Sequence, residues 1–256
     1  MKQPILQCQN VCFSYHNLKG ETSALTNISF QITKGEFVSI VGPSGCGKST
    51  LLSLIAGLNM PESGTITLDR SENTKIGYML QQDHLLEWRT IYQNIMLGPE
   101  INQTLSPENK KLALTLLNDY GLARFQDKKP GELSGGMKQR VALIRTMMLN
   151  PQILLLDEPF SALDYQTRLM VSSDIGRIIR KAGITTILVT HDLSEAIALS
   201  DRILILSKRP ATIKKELPIT LPLADDSLLA ARNAPEFSSY FSVLWKEISD
   251  EYNQTT

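Results

Sequence analysis

The sequence predicts an α/β fold built on a mostly parallel sheet that helices cover. Apolar runs at residues 152–157, 185–190 and 202–207 are the first observation behind this prediction. Strands of parallel sheets are buried on both faces and are therefore apolar throughout. The second observation is a helical stretch from Tyr165 to Ala182 between the first two runs, because parallel neighbours need a crossover connection that is usually a helix.

Further elements follow from local patterns in chain order. Residues 47–57 predict a helix that a glycine closes. Ser106 followed by Pro107 predicts another helix start, since proline is favoured at the first helical position. The remaining predicted strands are 5–10, 28–33, 36–41, 65–68 and 75–80.

The rest of the chain predicts helical regions around this sheet. Between about 85 and 150 the pattern becomes that of amphipathic helices. Residues 210–222 are expected to be extended, and residues 235–252 to form an amphipathic helix that packs on its own domain. We expect one domain over residues 1–222, with a helical subdomain at about 85–150 inserted in it, and a helical tail at 223–256.

Length and composition restrict the class of protein. The chain has 256 residues, with 26 Lys and Arg against 26 Asp and Glu. Nucleic-acid binders usually carry a basic excess, so we expect no nucleic-acid partner. The apolar runs are too short for a transmembrane helix, and the N-terminus lacks a signal-peptide pattern. Three scattered cysteines argue against a disulfide framework, so a reduced, cytosolic protein is expected.

A phosphate-binding motif directly follows the predicted strand 36–41. It reads G-x-x-x-x-G-K-[ST], and its residues are Gly42, Pro43, Ser44, Gly45, Cys46, Gly47, Lys48, Ser49 and Thr50. The glycines let the loop wrap around a polyphosphate, while N–H groups at the helix start supply partial positive charge. We expect Lys48 to reach the β- and γ-phosphates and Ser49 to ligate Mg²⁺. Because Cys46 lies inside the loop, we also expect thiol alkylation to block ATP hydrolysis.

Two acidic residues end the predicted strand 152–157 and follow it. Asp157 and Glu158 lie where a parallel sheet presents its carboxyl edge, which is where ligands of α/β folds bind. We expect Asp157 to interact with Mg²⁺, directly or through another group. Glu158, one residue later, is positioned to act as the general base that activates water.

A third motif provides a second anion-binding helix start. Ser134 is a favourable N-cap, and Gly135 and Gly136 follow it at the start of a helical run. One subunit does not need two phosphate-binding helix starts for one nucleotide. We therefore expect a head-to-tail dimer, in which Lys48 and Ser49 of one copy face Ser134, Gly135 and Gly136 of the other across a shared nucleotide.

These motifs resemble those of the ATP-binding-cassette (ABC) ATPases, and they occur in the order of that family. The segment 133–140 resembles the family signature. By the same resemblance, Tyr15 is the aromatic residue that stacks on adenine, and Gln81 is the glutamine that senses Mg²⁺ and faces the membrane partner. The segment 161–164, which ends at Asp164, resembles the loop that crosses the dimer interface, and His191 resembles the histidine that contacts the γ-phosphate.

The resemblance extends over about residues 5–220 and implies an architecture and partners. It implies a P-loop NTPase core with an antiparallel β subdomain and an inserted α-helical subdomain. ATP and Mg²⁺ are the implied ligands, with Ser49, Gln81 and Asp157 near the metal. The implied partners are a second copy of the chain, integral membrane permease subunits and, indirectly, an extracytoplasmic solute-binding protein. The implied location is the cytoplasmic face of the cell membrane, as a peripheral subunit.

One segment resembles a particular branch of the family. Leu85–Trp88 is similar to the Leu-Leu-Pro-Trp element of importers for nitrate, sulfonates and taurine, although Glu87 replaces the usual proline. Counting back from the tryptophan assigns the family glutamine to Gln81 rather than Gln82. The branch suggests a small polar or anionic solute, such as a sulfonate, nitrate or a vitamin precursor.

Two alternatives to an importer stay open. A non-transport ABC ATPase acting on DNA usually carries a long coiled-coil insertion, which the 86 positions from Lys48 to Ser134 do not accommodate. Those acting on ribosomes usually carry two cassettes, and one is found here. An ABC ATPase associated with an exporter is the other alternative, and only its partner proteins would distinguish it.

Overall fold

The computed structural model describes residues 4–17, 20–69, 74–221 and 228–253. Within these residues the strands are β1 (Pro4–Asn17), β2 (Gly20–Thr33), β3 (Phe37–Val41), β4 (Ser63–Leu68), β5 (Ile76–Met79), β6 (Ile153–Asp157), β7 (Thr185–Val189), β8 (Arg202–Leu206) and β9 (Ile213–Pro218). The helices are α1 (Lys48–Ile55), α2 (Ile91–Ile95), α3 (Leu97–Ile101), α4 (Pro107–Asp119), α5 (Gly135–Met147), α6 (Tyr165–Ala182), α7 (Leu193–Leu199), α8 (Leu228–Asn233) and α9 (Phe237–Asn253), with short 3₁₀ turns at Ala123–Phe125 and Pro130–Glu132.

The larger sheet confirms the predicted mostly parallel α/β architecture. Its strand order is β5-β6-β7-β3-β8-β9, and its neighbouring strands are parallel except β8 and β9. Helix α6 connects β6 to its neighbour β7, as the crossover prediction requires. The segment 210–222 that was expected to be extended supplies the antiparallel edge strand β9.

A second, antiparallel sheet has the order β2-β1-β4, as the family resemblance implied. Its strands β1 and β2 are longer than the predicted strands 5–10 and 28–33. The register of the pair shifts between Cys8 and Val11, and both Asn10 and Asn27 have a positive φ, of 50° and 52°. Asparagine tolerates this conformation at a β-bulge, and each bulge interrupts the alternation from which strands are predicted.

Strand β6 shows how the large sheet divides the core. Leu154 and Leu156 pack into the cluster that contains the apolar faces of α2, α4, α5 and α6. Ile153 and Leu155 point to the opposite face, where the antiparallel sheet and α1 pack. The strand is therefore buried on both sides, and its last residue, Asp157, emerges at the edge where the site lies.

The last described helix packs on the same domain. Leu244 of α9 is fully buried in a cluster with Val41, Ile203 and Ile205. Glu251 accepts a hydrogen bond from the Lys208 backbone N–H at 3.0 Å. The predicted boundary between a domain at 1–222 and a tail at 223–256 falls outside the described residues and stays a prediction.

None of the helices in the part of the chain that the structure describes combines the length and the apolar character that crossing a bilayer requires.

Candidate active site

The phosphate-binding loop connects β3 to α1 and has the backbone that an anion requires. Gly45 and Gly47 have φ angles of 71° and 125°, which residues with a side chain rarely adopt. A Cβ on Gly47 would also lie 2.9 Å from Leu25 Cδ2. No side chain caps the first turn of α1, so its N–H groups are positioned to bind phosphate oxygens.

Lys48 lies beneath this loop with its charge largely out of water. The residue is 7% exposed, and its Nζ donates hydrogen bonds of 2.9 Å to the carbonyl oxygens of Gly42 and Pro43. The hydrogen-bond acceptors of this ammonium are neutral carbonyls, and Asp157 attracts it electrostatically, so a polyphosphate would be a further partner of opposite charge. A polyphosphate held by the loop fits this site on electrostatic grounds.

Ser49 and Asp157 form the part of the site that suits a divalent cation. Ser49 Oγ donates to Asp157 Oδ1 at 2.9 Å, and Tyr78 OH donates to Oδ2 at 3.3 Å. Burial raises the pKa of Asp157, and the two hydroxyl donors oppose this effect. A hydroxyl oxygen and a carboxylate are the hard oxygen ligands that Mg²⁺ prefers, so these residues fit the predicted ion.

Three predicted residues from separate segments meet at one carboxylate. Glu158 Oε2 lies 3.1 Å from His191 Nδ1 and 3.3 Å from Gln81 Nε2. Glu158 itself has a φ of 46°, and its N–H donates to Val189 O at 2.8 Å. A left-handed backbone conformation at a non-glycine residue is costly and occurs most often at functional sites. Here it coincides with the point where Glu158 leaves the sheet edge toward His191 and Gln81.

Tyr15 also lies beside the phosphate-binding loop. Its hydroxyl is 2.9 Å from Thr50 Oγ1, and its ring packs edge-on against Phe13 at 5.0 Å. The residue is 42% exposed, which leaves ring surface accessible to a ligand. Its stacking on adenine stays a prediction.

The start of the signature segment lies against α6. Ser134 caps α5 by accepting from Met137 N at 3.4 Å, and both Ser134 and Gly135 are exposed. Gly136 is buried, and a Cβ there would lie 2.8 Å from Thr167 Cγ2. Gly136 therefore allows α5 and α6 to approach each other, a packing role that the motif alone did not predict.

Asp164 has a structural contact of its own. It caps α6 by accepting from Thr167 N at 3.1 Å, and hydrogen bonds from Thr167 lower the pKa of its carboxyl. Its predicted position at a dimer interface stays a prediction.

Burial limits the reactivity of Cys46, while the predicted effect of its alkylation on ATP hydrolysis stays a prediction. The residue is almost fully buried, and burial is the largest influence on its thiol, whose pKa is raised. Thiolate is the nucleophile in alkylation, so both effects slow the reaction. The sequence showed that Cys46 lies in the loop but not that its side chain points into the core.

The sequence interpretation missed several residues that surround the site. Tyr78 could have been suspected, because a tyrosine in a buried strand needs a hydrogen-bond partner. Asp192 accepts from the N–H groups of Ser194 and Glu195 at 2.8 and 3.3 Å, and the spacing D-x-x-E is a helix-start signal. Arg168 carried no such local signal, because its partners come from other segments.

Known proteins are similar in sequence to this chain over most of its length. Residues 25–161 match the family described as ABC transporter. YtlC of Bacillus subtilis, described as an uncharacterized ABC transporter ATP-binding protein, is 47% identical over 95% of this chain and 95% of its own length. The nitrate import ATP-binding protein NrtD of Synechocystis sp. is 41% identical over 87% and 86%. The aliphatic sulfonates import ATP-binding protein SsuB 1 of Rhodococcus jostii is 43% identical over 82% and 84%.

A solved structure shares the fold as well. It is described as a dimeric structure of a post-hydrolysis state of the ATP-binding cassette MJ0796 bound to ADP and Pi. It superposes with a TM-score of 0.72 at 33% identity, covering 84% of this chain and 99% of that chain. The chain therefore belongs to the ABC transporter family of ATP-binding proteins and is an ABC-type ATPase.

Proposed function

We propose that this chain is the energising subunit of an ABC importer, in which ATP binding and hydrolysis by a head-to-tail dimer drive solute uptake through a separate permease. The observation that carries the proposal is the meeting of Gln81 and His191 at Glu158, beside the phosphate-binding loop. This arrangement joins the hydrolytic carboxylate to the loop that is expected to face a membrane partner.

The arrangement of the side chains suits hydrolysis of the terminal phosphoryl group. Ser49 and Asp157 would hold Mg²⁺, whose positive charge would offset that of the phosphate oxygens. Glu158 accepts the proton of the attacking water as general base. The Nδ1 atom of His191 faces Glu158, which leaves Nε2 to face the nucleotide. Gln81 Nε2 donates to the same carboxylate oxygen, Oε2, at 3.3 Å and so helps to orient Glu158.

The exposure of the signature segment supports the proposed dimer. Ser134 and Gly135 are exposed at the start of α5, while the next residue, Gly136, is buried against α6. A helix N-terminus that is open to solvent binds anions readily. A second copy that presents its own nucleotide would fill it, and the dimeric relative MJ0796 supports this arrangement.

The permease and the location rest on the residues on either side of Gln81. Leu80 is 42% exposed and Trp88 is 72% exposed, so both present apolar side-chain surface to solvent. Such a surface suits a protein partner. We place the chain at the cytoplasmic face of the cell membrane, with an extracytoplasmic binding protein on the other side. The names of NrtD and SsuB 1 favour a small anionic solute such as nitrate or a sulfonate.

The dimer is tested with Glu158→Gln, which keeps the hydrogen-bonding shape but removes the base. With ATP and Mg²⁺ the variant should elute as a dimer in size-exclusion chromatography with light scattering. Lys48→Ala added to it should abolish ATP binding. Ser134→Glu added to it should keep ATP binding but prevent dimerisation, because a carboxylate would then face phosphate. A monomeric Glu158→Gln protein with saturating ATP and Mg²⁺ contradicts a shared site.

The importer assignment is tested by purifying the native complex from membranes. A co-purifying permease that also requires an extracytoplasmic solute-binding protein supports import, and that binding protein can be screened against nitrate and sulfonates. A permease that works without a binding protein supports an exporter-associated ATPase. Recovery without any membrane protein supports a non-transport ATPase.

A further inference from the structure

Arg168 of α6 connects two segments that flank the active site. Its Nη2 donates to Leu163 O at 3.0 Å, and its Nη1 donates to Asp192 Oδ2 at 3.4 Å. Leu163 belongs to the segment 161–164 that is expected at the dimer interface. Asp192 directly follows His191. Both charged side chains are largely buried, with 22% and 20% exposure, so the ion pair is partly shielded from water.

The turn that carries His191 is held by buried hydrogen bonds on the other side of Asp192. Thr190 Oγ1 accepts from Asp192 N at 3.0 Å and donates to Glu195 Oε2 at 2.7 Å. The carboxylate of Asp192 also caps α7. The turn and the helix that follows it therefore form one hydrogen-bonded unit, to which Arg168 joins the segment 161–164.

Two atoms of this network are buried without a hydrogen-bond partner among the described residues. They are Arg168 Nε and Glu195 Oε1. Buried polar groups are nearly always satisfied, because leaving one unpaired costs free energy. Their electrostatic attraction opposes the effect of burial, which raises the pKa of Glu195 to about 7. Asp192 and Glu158 are the other charged groups that act on Glu195, and both raise its pKa.

We propose that Arg168 is a positioning residue that couples the segment 161–164 to His191, so that docking of the second copy sets the position of His191 against Glu158. The inference rests on the dimer of the proposed function, since segment 161–164 is the part that a second copy would move. Arg168 reaches the two segments through its hydrogen bonds to Leu163 and Asp192.

The test measures steady-state ATP hydrolysis of the full chain carrying Arg168→Gln. We expect kcat to fall by roughly tenfold, because a small displacement of a catalytic group lowers the rate strongly. We expect KM for ATP to change by less than about twofold, because the phosphate-binding loop is untouched. Arg168→Lys should recover part of the rate, since its single ammonium can still pair with Asp192.

Arg177→Gln is the matched control on the same helix. Arg177 is exposed and pairs with Asp174 at 3.4 Å, away from the network of His191. We expect its kcat and KM to equal those of the wild type. Equal losses of kcat in the two variants would overturn the proposal, since the effect would then belong to α6 in general. An unchanged kcat in Arg168→Gln would overturn it as well.

A double-mutant cycle with Asp192→Asn separates positioning from a merely structural role. Asparagine keeps the helix cap, so the substitution removes mainly the charge that faces Arg168. If Arg168 acts through Asp192, the double variant should have the kcat of Arg168→Gln alone. Multiplied losses of kcat, to roughly a hundredfold, would overturn the coupling.

The dimer is measured separately so that the two proposals can fail independently. Arg168→Gln placed in the Glu158→Gln protein should still give the ATP-dependent dimer in light scattering. If Glu158→Gln alone stays monomeric, the proposed function fails. If the dimer forms and kcat of Arg168→Gln is unchanged, only the role of Arg168 fails. If Arg168→Gln does not fold, the kcat values of Arg168→Lys and Asp192→Asn are compared with that of the wild type instead. A normal kcat in both variants overturns the proposed positioning role of Arg168.

Discussion

Glu195 is a carboxyl whose burial makes the stability of the fold depend on pH. Burial raises its pKa from 4.5 to about 7 in the folded protein. The folded state therefore holds this proton more tightly than the unfolded state. Protonation thus favours folding below the unfolded pKa near 4.5, and this contribution is lost as the pH rises through about 7.

Glu195→Gln should remove this dependence, because its amide does not titrate. The free energy of unfolding of the variant, measured by urea denaturation, should rise relative to the wild type between pH 5 and pH 8. The expected relative gain is up to about 3 kcal/mol. Other carboxyls are common to both proteins and cancel in the comparison. A difference that stays constant with pH would show that Glu195 is ionised in both states.

The predictability of the site residues depends on how local their signals are. Lys48 and Ser49 lie in one continuous motif, and Glu158 directly follows a recognisable strand, so the sequence identified them. Tyr78 and Arg168 reach the site from other elements, and their partners are apparent only when the strands are in register. A motif fixes spacing along the chain but not which distant side chain completes the hydrogen bonds.

Helices α5 and α6 approach each other at a position that only glycine fits. A Cβ on Gly136 would lie 2.8 Å from Thr167 Cγ2 and 3.3 Å from Val171 Cγ2, both on stiff β-branched side chains. Gly136→Ala should destabilise the fold by about 1–3 kcal/mol through overpacking. Gly135→Ala is the control, since its Cβ would meet Leu163 Cδ2 at 3.4 Å, an ordinary contact.

Urea denaturation of the nucleotide-free proteins measures this difference. Gly135→Ala should match or exceed the wild type, because alanine has the higher helix propensity by roughly 1 kcal/mol. Equal denaturation midpoints for the two variants would mean that α6 moves away from the added methyl group without a loss of stability. The packing of α5 on α6 would then not be the reason for glycine at 136.

At the scale of elements, the sequence predicts the bounds of helix α6 more accurately than those of the antiparallel strands. Helix α6 has the predicted bounds because its cap and its terminal glycine are local signals. Strand β1 runs to Asn17 rather than residue 10, because bulges at Asn10 break its alternation and only pairing with β2 maintains it. Long-range pairing overrides local pattern in strands more readily than in helices.

At the scale of the whole molecule, helix α9 packs on the strands that lead to the site. The cluster around Leu244 contains Val41, the last residue of β3 before the phosphate-binding loop. Lys214 of the edge strand β9 pairs with Glu247 and Glu251 of α9 at 3.2 and 3.1 Å. We therefore propose that α9 unfolds together with the domain rather than as a separate tail.

Leu244→Ala tests this proposal, because truncating a fully buried leucine leaves a cavity that should cost about 2–5 kcal/mol. Lys246→Ala, at an exposed position of the same helix, should change stability by less than about 0.5 kcal/mol.

The chain has two tryptophans, so Trp88→Phe leaves Trp245 as a fluorescent reporter within α9. Fluorescence of Trp245 and far-UV circular dichroism should give coincident urea transitions, and Leu244→Ala should shift both. A fluorescence transition at lower urea, shifted alone by Leu244→Ala, would make α9 an independently unfolding unit.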